Sequence, residues 1–327
     1  MTIVSLLTLN FLLTPLYSQQ MISSQDTSPH TIHFLTVDKD VRLEVLDWGG
    51  QGRSVILLAG GGNTAHVFDD FAPKLKANFH VYGITRRGFG ASEFSTPIKE
   101  DQLDDDILAI IDSLKLDKPV LVGHSIAGAE MSSVALSRPD RIAGLVYLDA
   151  AYPYAFDNGK GPSMKEFMEL RSPQPPAPSV DDLVSYTTLQ KWEVQTSGLL
   201  MPEAELRYTW DSSPDGRPAK RKNSPGFSSM LTMMTSRHVD IPVPALAINA
   251  VPHVWDIWMT NSTNPEVQKE AKTFFTTIDS LAKKQATVLK ESVRTVRIVE
   301  MRGMHFIFIS NEADVLREIR SFIGSLK

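Results

Sequence analysis

The stretch "VLVGHSIAGAEM" sets a serine, Ser125, between an apolar run and a run of mostly small residues. Its chemistry would be nucleophilic. An apolar strand entering Gly123-His124-Ser125 and leaving as a helix has the form of a nucleophile elbow, a sharp turn that lifts the hydroxyl out of the sheet. Strand and helix approach closely at such a bend, so the residues two before and two after the serine must be small. Gly123 meets this requirement; beyond the serine stand Ala127, where Gly is commoner, and then Gly128. Small residues flank many serines by chance, so the reading rests on the strand before and the helix after. A serine hydroxyl is a weak nucleophile at neutral pH and needs a base, usually a histidine oriented by a carboxylate. "MRGMHFIF" supplies His305 after the last strand the sequence predicts, where such a base belongs. An oxyanion formed by the attack needs backbone N–H groups aimed at one point. Ile126, directly after the serine, offers one. "AGGGN" offers the other, with Gly61 the first choice and Gly62 the next. No G-x-x-x-x-G-K-[ST] pattern turns that loop into a phosphate cradle.

These residues need a scaffold, and the hydrophobic periodicity supplies one. "TIHFLTVDKDVRLEVLDWG" (31–49) alternates around a polar Asp-Lys-Asp and predicts a hairpin. "SVILLAG" is a continuous apolar run ending in glycines, as a strand buried on both faces should be. A strand follows from Phe79 into the Gly-rich "RRGFGAS", then a helix over 102–116 with Leu103, Ile107, Ile110, Ile111 and Leu114 on one face. The strand "PVLVGHS", a helix and the strand "AGLVYLDAA" (143–151) come next. Alternating strands and helices predict an α/β fold: a mostly parallel central sheet with helices on both faces. The alternation stops between 154 and 239, where no strand is predicted. Helices are expected there near 164–170, 180–195 and 201–210, around the Pro-rich "RSPQPPAPS". The segment reads as an inserted helical cap (154–239). It interrupts a core domain made of 30–153 and 240–327, which resumes with "VPALAINA", a long helix (265–291), the strand "TVRIVEM" and a last helix (311–326).

Composition narrows the classes. The chain of 327 residues has a formal net charge of −5 and no cysteine. No broad basic surface suggests nucleic acid, and the one dense basic stretch, "GRPAKRK", reads as a solvated loop. Disulfides, thiolate metal sites and a cysteine nucleophile are excluded. The residues suggest neither a metal cluster nor a cofactor site. "MTIVSLLTLNFLLTPLYSQQ" carries an apolar run too short for a membrane span. It fits a signal peptide and N-terminal tail over 1–29, hence a secreted or periplasmic protein with no stable span after processing.

Taken in order, "LLAGGGNTAHVFDDFAPKL", "RRGFGASEFS", "VLVGHSIAG", "AGLVYLDAA" and "RGMHFIF" resemble an α/β-hydrolase-fold protein across nearly the whole chain after about residue 50. Ala59 stands where many relatives have His, and Thr85 where many have an acidic residue before Arg-Gly. The resemblance implies a Ser-His-acid triad. Relatives commonly carry the acid a few residues after the strand matching "PALAINA", but here no carboxylate follows until Asp256. Some place it at the end of the preceding strand, where Asp149 stands, at the strand end where open α/β sheets bind ligands. Asp149 is the first choice and Asp256 the alternative. His124 is expected to pack beside the elbow, and Arg86 and Arg87 to serve the sheet-edge turn. A serine nucleophile implies an acyl-enzyme. The expected protein is therefore a serine hydrolase acting on a small or medium apolar carboxylic ester or lactone. Carbon–carbon bond hydrolysis or cofactor-free perhydrolysis with the same triad is one alternative, and a non-catalytic binding protein of this fold the other. Candidate substrate contacts are Gly62, Asn63, Trp255, Trp258 and Met233, with His253 at the same rim.

Overall fold

The computed structural model describes residues 28–95, 102–228, 230 and 238–327. Most of the signal-like segment (1–27) and Met233 lie outside the described residues.

The hairpin forms as β1 (Thr31–Asp38) and β2 (Val41–Gly49). It leads into β3 (Ser54–Leu58), β4 (His80–Ile84), β5 (Val120–His124) and β6 (Gly144–Leu148). After a long excursion come β9 (Ala245–His253) and β10 (Val296–Gly303). The eight strands make one sheet in the order β1-β2-β4-β3-β5-β6-β9-β10. β2 runs antiparallel to both neighbours, and every other pair is parallel.

The continuous apolar runs are explained by burial on both faces. Along β3, Val55 and Leu57 face one core, with Phe68, Phe71, Leu75, Val315 and Ile319. Ile56 and Leu58 face the other, with Leu103, Ile107, Ile110, Met131 and Val134. Helices Gln102–Ser113, Ala127–Ser137 and Pro265–Ser292 contribute to the second core; helix Glu312–Ser325 caps the first. Residue alternation within a strand thus serves two layers at once.

Between β6 and β9 lie helices Met164–Met168, Tyr186–Ser197 and Glu203–Thr209. The middle one starts later than the sequence periodicity predicts, at the Ser185 capping box. The absence of strands expected here is corrected: β7 (Trp210–Ser212) and β8 (Pro218–Arg221) pair antiparallel. The signal was present in Asp215-Gly216, whose glycine turns at φ +82°. The same hairpin corrects the loop reading of "GRPAKRK". Arg221 reaches the Glu193 carboxylate at 2.7 Å and lies over the Trp210 ring, which organises part of this basic stretch.

Candidate active site

Ser125 sits just past the end of β5 at φ +53°, a left-handed value that a non-glycine residue rarely adopts. The packing that holds it there is tight. A Cβ on Gly123 would come within 2.8 Å of the Met131 sulfur, and one on Gly128 within 2.1 Å of the Ala150 carbonyl. The second close approach therefore falls at Gly128, and Ala127 is accommodated. The Ser125 N–H donates to the Leu148 carbonyl, and its carbonyl accepts from Gly128. Burial and then the Asp149 charge raise the Tyr154 phenol, and the Ser125 side chain opposes that rise. Among the described residues no hydrogen bond joins Ser125 to His305.

The glycine loop lies directly over this turn. A Cβ on Gly60 would stand 3.2 Å from the Ser125 Cβ, and one on Gly61 would stand 3.6 Å from the Ile126 side chain and 3.1 Å from Met230. The structure thus brings Gly61 and Ile126 together, and neither N–H has a hydrogen-bond partner among the described residues. Two buried groups brace the loop: Arg86, expected only to serve the sheet-edge turn, and Glu205, which sequence reasoning missed. Arg86 donates to the Ala59 carbonyl at 2.8 Å while its guanidinium grips Glu130 on the helix behind Ser125. Glu205, from helix Glu203–Thr209, accepts from the Asn63 amide at 2.8 Å and from the Thr64 N–H and hydroxyl. Burial pushes the Glu205 carboxyl up, while its hydrogen bonds to Thr64 and Asn63 oppose the shift.

His305 follows β10 and is partly open, with 44 % of its side chain exposed. Its Nδ1 lies 2.7 Å from Oδ2 of Asp149, which is fully buried at the end of β6. Asp149 Oδ1 accepts from the Ala250 N–H at 3.0 Å and the Tyr152 hydroxyl at 2.9 Å. A second imidazole, His253, points Nε2 at Asp149 Oδ2 from 3.2 Å. Burial alone would raise the Asp149 carboxyl. The hydrogen bonds and charges of the two histidines outweigh it and hold the group well below the usual carboxylate range. Asp256, the alternative acid, makes no hydrogen bond to His305 among the described residues; burial pushes its carboxyl up to about 6. His124 is buried, and burial and then the His305 charge drive it down to about 3. It is a neutral donor, and its Nε2–H binds the His305 main-chain carbonyl at 3.1 Å. It therefore fixes the loop that carries His305.

A cavity of about 510 Å³ opens beside His305. Asn63, Glu193, Glu205, Arg221, His253 and Asp256 are among its polar lining, beside Gly61 and Gly62, and Leu199, Met259, Phe274, Phe275 and Phe306 are among its apolar lining. Of the other expected contacts, Trp255 and Trp258 are replaced in the lining by their neighbours. Trp255 stacks instead on Phe275, ring centroids 5.8 Å apart, and presents no face to the cavity.

With this geometry in view, the comparisons are consistent. A family model described as "alpha/beta hydrolase fold" matches residues 53–182. The crystal structure of E-2-(acetamidomethylene)succinate hydrolase superposes with a TM-score of 0.62 at 15 % identity, covering 90 % of this chain and all of that one. A pimeloyl-[acyl-carrier protein] methyl ester esterase of Edwardsiella ictaluri is 29 % identical over 98 residues, 30 % of this chain and 36 % of its own. A 2-hydroxy-6-oxononadienedioate/2-hydroxy-6-oxononatrienedioate hydrolase of Klebsiella pneumoniae is 28 % identical over 131 residues, 37 % of this chain and 46 % of its own. The chain thus spans less than half the length of these curated relatives. The chain has the α/β-hydrolase fold.

Proposed function

We propose that this protein is a serine hydrolase that cleaves a small or medium, fairly apolar carboxylic ester or lactone through an acyl-enzyme. The observation that carries the reading is the buried Asp149 carboxylate bonded to Nδ1 of His305, an imidazole that also faces the cavity. A carboxylate accepts only, so Nδ1 bears the proton and Nε2 keeps its lone pair. In the proposed reaction the Ser125 hydroxyl turns to His305, which takes its proton as the oxygen attacks the acyl carbon. The N–H groups of Gly61 and Ile126 hold the oxyanion. His305 then protonates the leaving oxygen, and water releases the acyl group by the reverse sequence. This chemistry calls for no metal and no cofactor. Residues 154–239 would act as a cap over the acyl site, with Glu205 tying it to the glycine loop.

The apolar lining favours a nonpolar acyl or alcohol group. Carbon–carbon bond hydrolysis with the same three residues is the second reading; the similarity to a 2-hydroxy-6-oxononadienedioate/2-hydroxy-6-oxononatrienedioate hydrolase, whose substrate is a hydroxy-oxo acid, favours it. A fluorophosphonate probe tests the shared step. We expect stoichiometric phosphonylation of Ser125 in the wild type and none in Ser125→Ala, whose turnover should drop on the order of 10⁴-fold or more. Turnover of ester substrates by a folded Ser125→Ala protein at the wild-type rate would remove Ser125 from the mechanism. A wild type that does not react would favour the binding protein.

A further inference from the structure

One carboxylate here serves two imidazoles. His253 is the last residue of β9, and 3 % of its side chain is exposed. Its Nε2 faces Asp149 Oδ2, and its Nδ1 lies 2.6 Å from Oδ1 of Asp279 on helix Pro265–Ser292. The His253 main-chain N–H donates to that same Asp279 oxygen at 3.1 Å. Both ring nitrogens therefore face carboxylate oxygens, which only accept. A neutral imidazole has one N–H and would turn a lone pair on one of the two anions. The contacts are both favourable only when the ring is doubly protonated. Burial works against that charge, but the hydrogen bonds and charges of Asp149 and Asp279 lift the ring to about 9.

Every group around the ring fits this account. Asp149 comes from the end of β6 and Asp279 from the helix. His305, after β10, and the Tyr152 hydroxyl share Asp149 with it, and a nitrogen of the His305 ring lies within 4.8 Å of one of His253. Phe275, 6.2 Å from the ring centroid, is uncharged. With His305 neutral, Asp149, His253 and Asp279 together carry one negative charge; with His253 neutral they would carry two.

We propose that His253 is a positioning residue, held as a cation between Asp149 and Asp279, that limits the negative charge Asp149 presents to His305 and so extends catalysis to lower pH. This rests on the assignment of Ser125, His305 and Asp149 made above. The cation also orients the shared carboxylate, because two N–H groups converge on Oδ2. Its loss above about pH 9 would put a lone pair against one carboxylate, so activity should carry an alkaline limb that belongs to His253.

The test is the rate of fluorophosphonate labelling from pH 5 to 10 for the full chain, His253→Gln and Asp279→Asn. Gln keeps a donor without the charge, and Asn keeps an acceptor without the charge. We expect His253→Gln to move the acid limb up by roughly one pH unit and to lose the alkaline limb. Asp279→Asn should move the alkaline limb down, because the cation loses one anion. Imidazole nitrogen NMR of the wild type at pH 7 provides a readout that needs no variant: both His253 nitrogens should give protonated signals. A neutral tautomer at pH 7, or folded variants whose profiles superimpose on the wild type, overturns the proposal. If Ser125 is not labelled at any pH while the cationic signals are present, the nucleophile assignment fails, and with it the effect on His305.

Discussion

Two buried histidines in this molecule are each clamped between two carboxylates, and they do different work. His253 lies between Asp149 and Asp279. His66, in the loop after β3, points Nδ1 at Asp69 from 3.1 Å and Nε2 at Glu44 from 3.5 Å. Burial opposes charge on His66, but the Asp69 hydrogen bond and the nearby Glu44 and Asp69 carboxylates lift it to about 10. The surroundings make the difference. His66 is fully buried, stacked on Tyr208 at 4.3 Å, and its anions bond inward: Glu44 accepts from Thr85, Asp69 accepts from Trp48, and the second imidazole on Asp69, that of His30 at 2.8 Å, is itself sealed with 2 % of its side chain exposed. Charge trapped there can only hold elements together. His253 shares its anion with an imidazole that is open to a cavity, so its charge reaches a group that would handle protons.

The largest effect should fall on the shared anion. Asp149→Asn removes the charge that fixes the His305 tautomer, and kcat should fall roughly 10⁴-fold with little change in substrate binding. Asp256→Asn, the matched control, should lose less than about tenfold. The reverse pattern, read from steady-state kinetics of the two variants, would move the acid to Asp256.

Next comes stability at the sealed clamp. Removing one partner from a buried pair leaves an uncompensated charge, so His66→Gln should cost about 3–5 kcal/mol in urea denaturation at neutral pH. The His66 value in the fold lies above that of an unfolded histidine, near 6.5. Its contribution is therefore complete below about pH 6.5 and fades as pH rises through about 10. The gap between wild type and variant should narrow over that window. A gap of constant size would show that the lost stability is packing and not charge.

A smaller change is expected where the excursion meets the glycine loop. Glu205→Gln keeps the shape but trades one acceptor for a donor facing Asn63 or Thr64. Labelling of Ser125 should slow about tenfold, less than the 10²–10³ lost with an oxyanion donor itself. An unchanged rate, with Tm lowered, would make Glu205 a structural anchor only.

Local rules made much of this legible before any fold was known. The doubly buried strands showed as unbroken apolar runs, because a strand covered on both faces has no polar side to alternate. The elbow showed as small residues around Ser125, because the steric demand falls within six residues of chain, from Gly123 to Gly128. The β7–β8 hairpin was missed although Asp215-Gly216 marked its turn, since its strands are short and their outer face is polar. Glu205 carried no signal: it is an ordinary residue type whose partners, Asn63 and Thr64, lie 142 and 141 residues away in sequence.

The sequence by itself determined the order of the eight strands of the main sheet, the turn at Ser125, the position of His305 and two competing acids. Only the tertiary structure decided which carboxylate meets His305. Asp149 and His305 are 156 residues apart, and Asp149 and His253 are 104 apart. They meet because β6, β9 and β10 are adjacent in the sheet and all end at the same edge. A motif is written by short-range sterics. The sharing of one buried charge between two imidazoles is set by how those strands and the long helix pack, and no spacing along the chain records it.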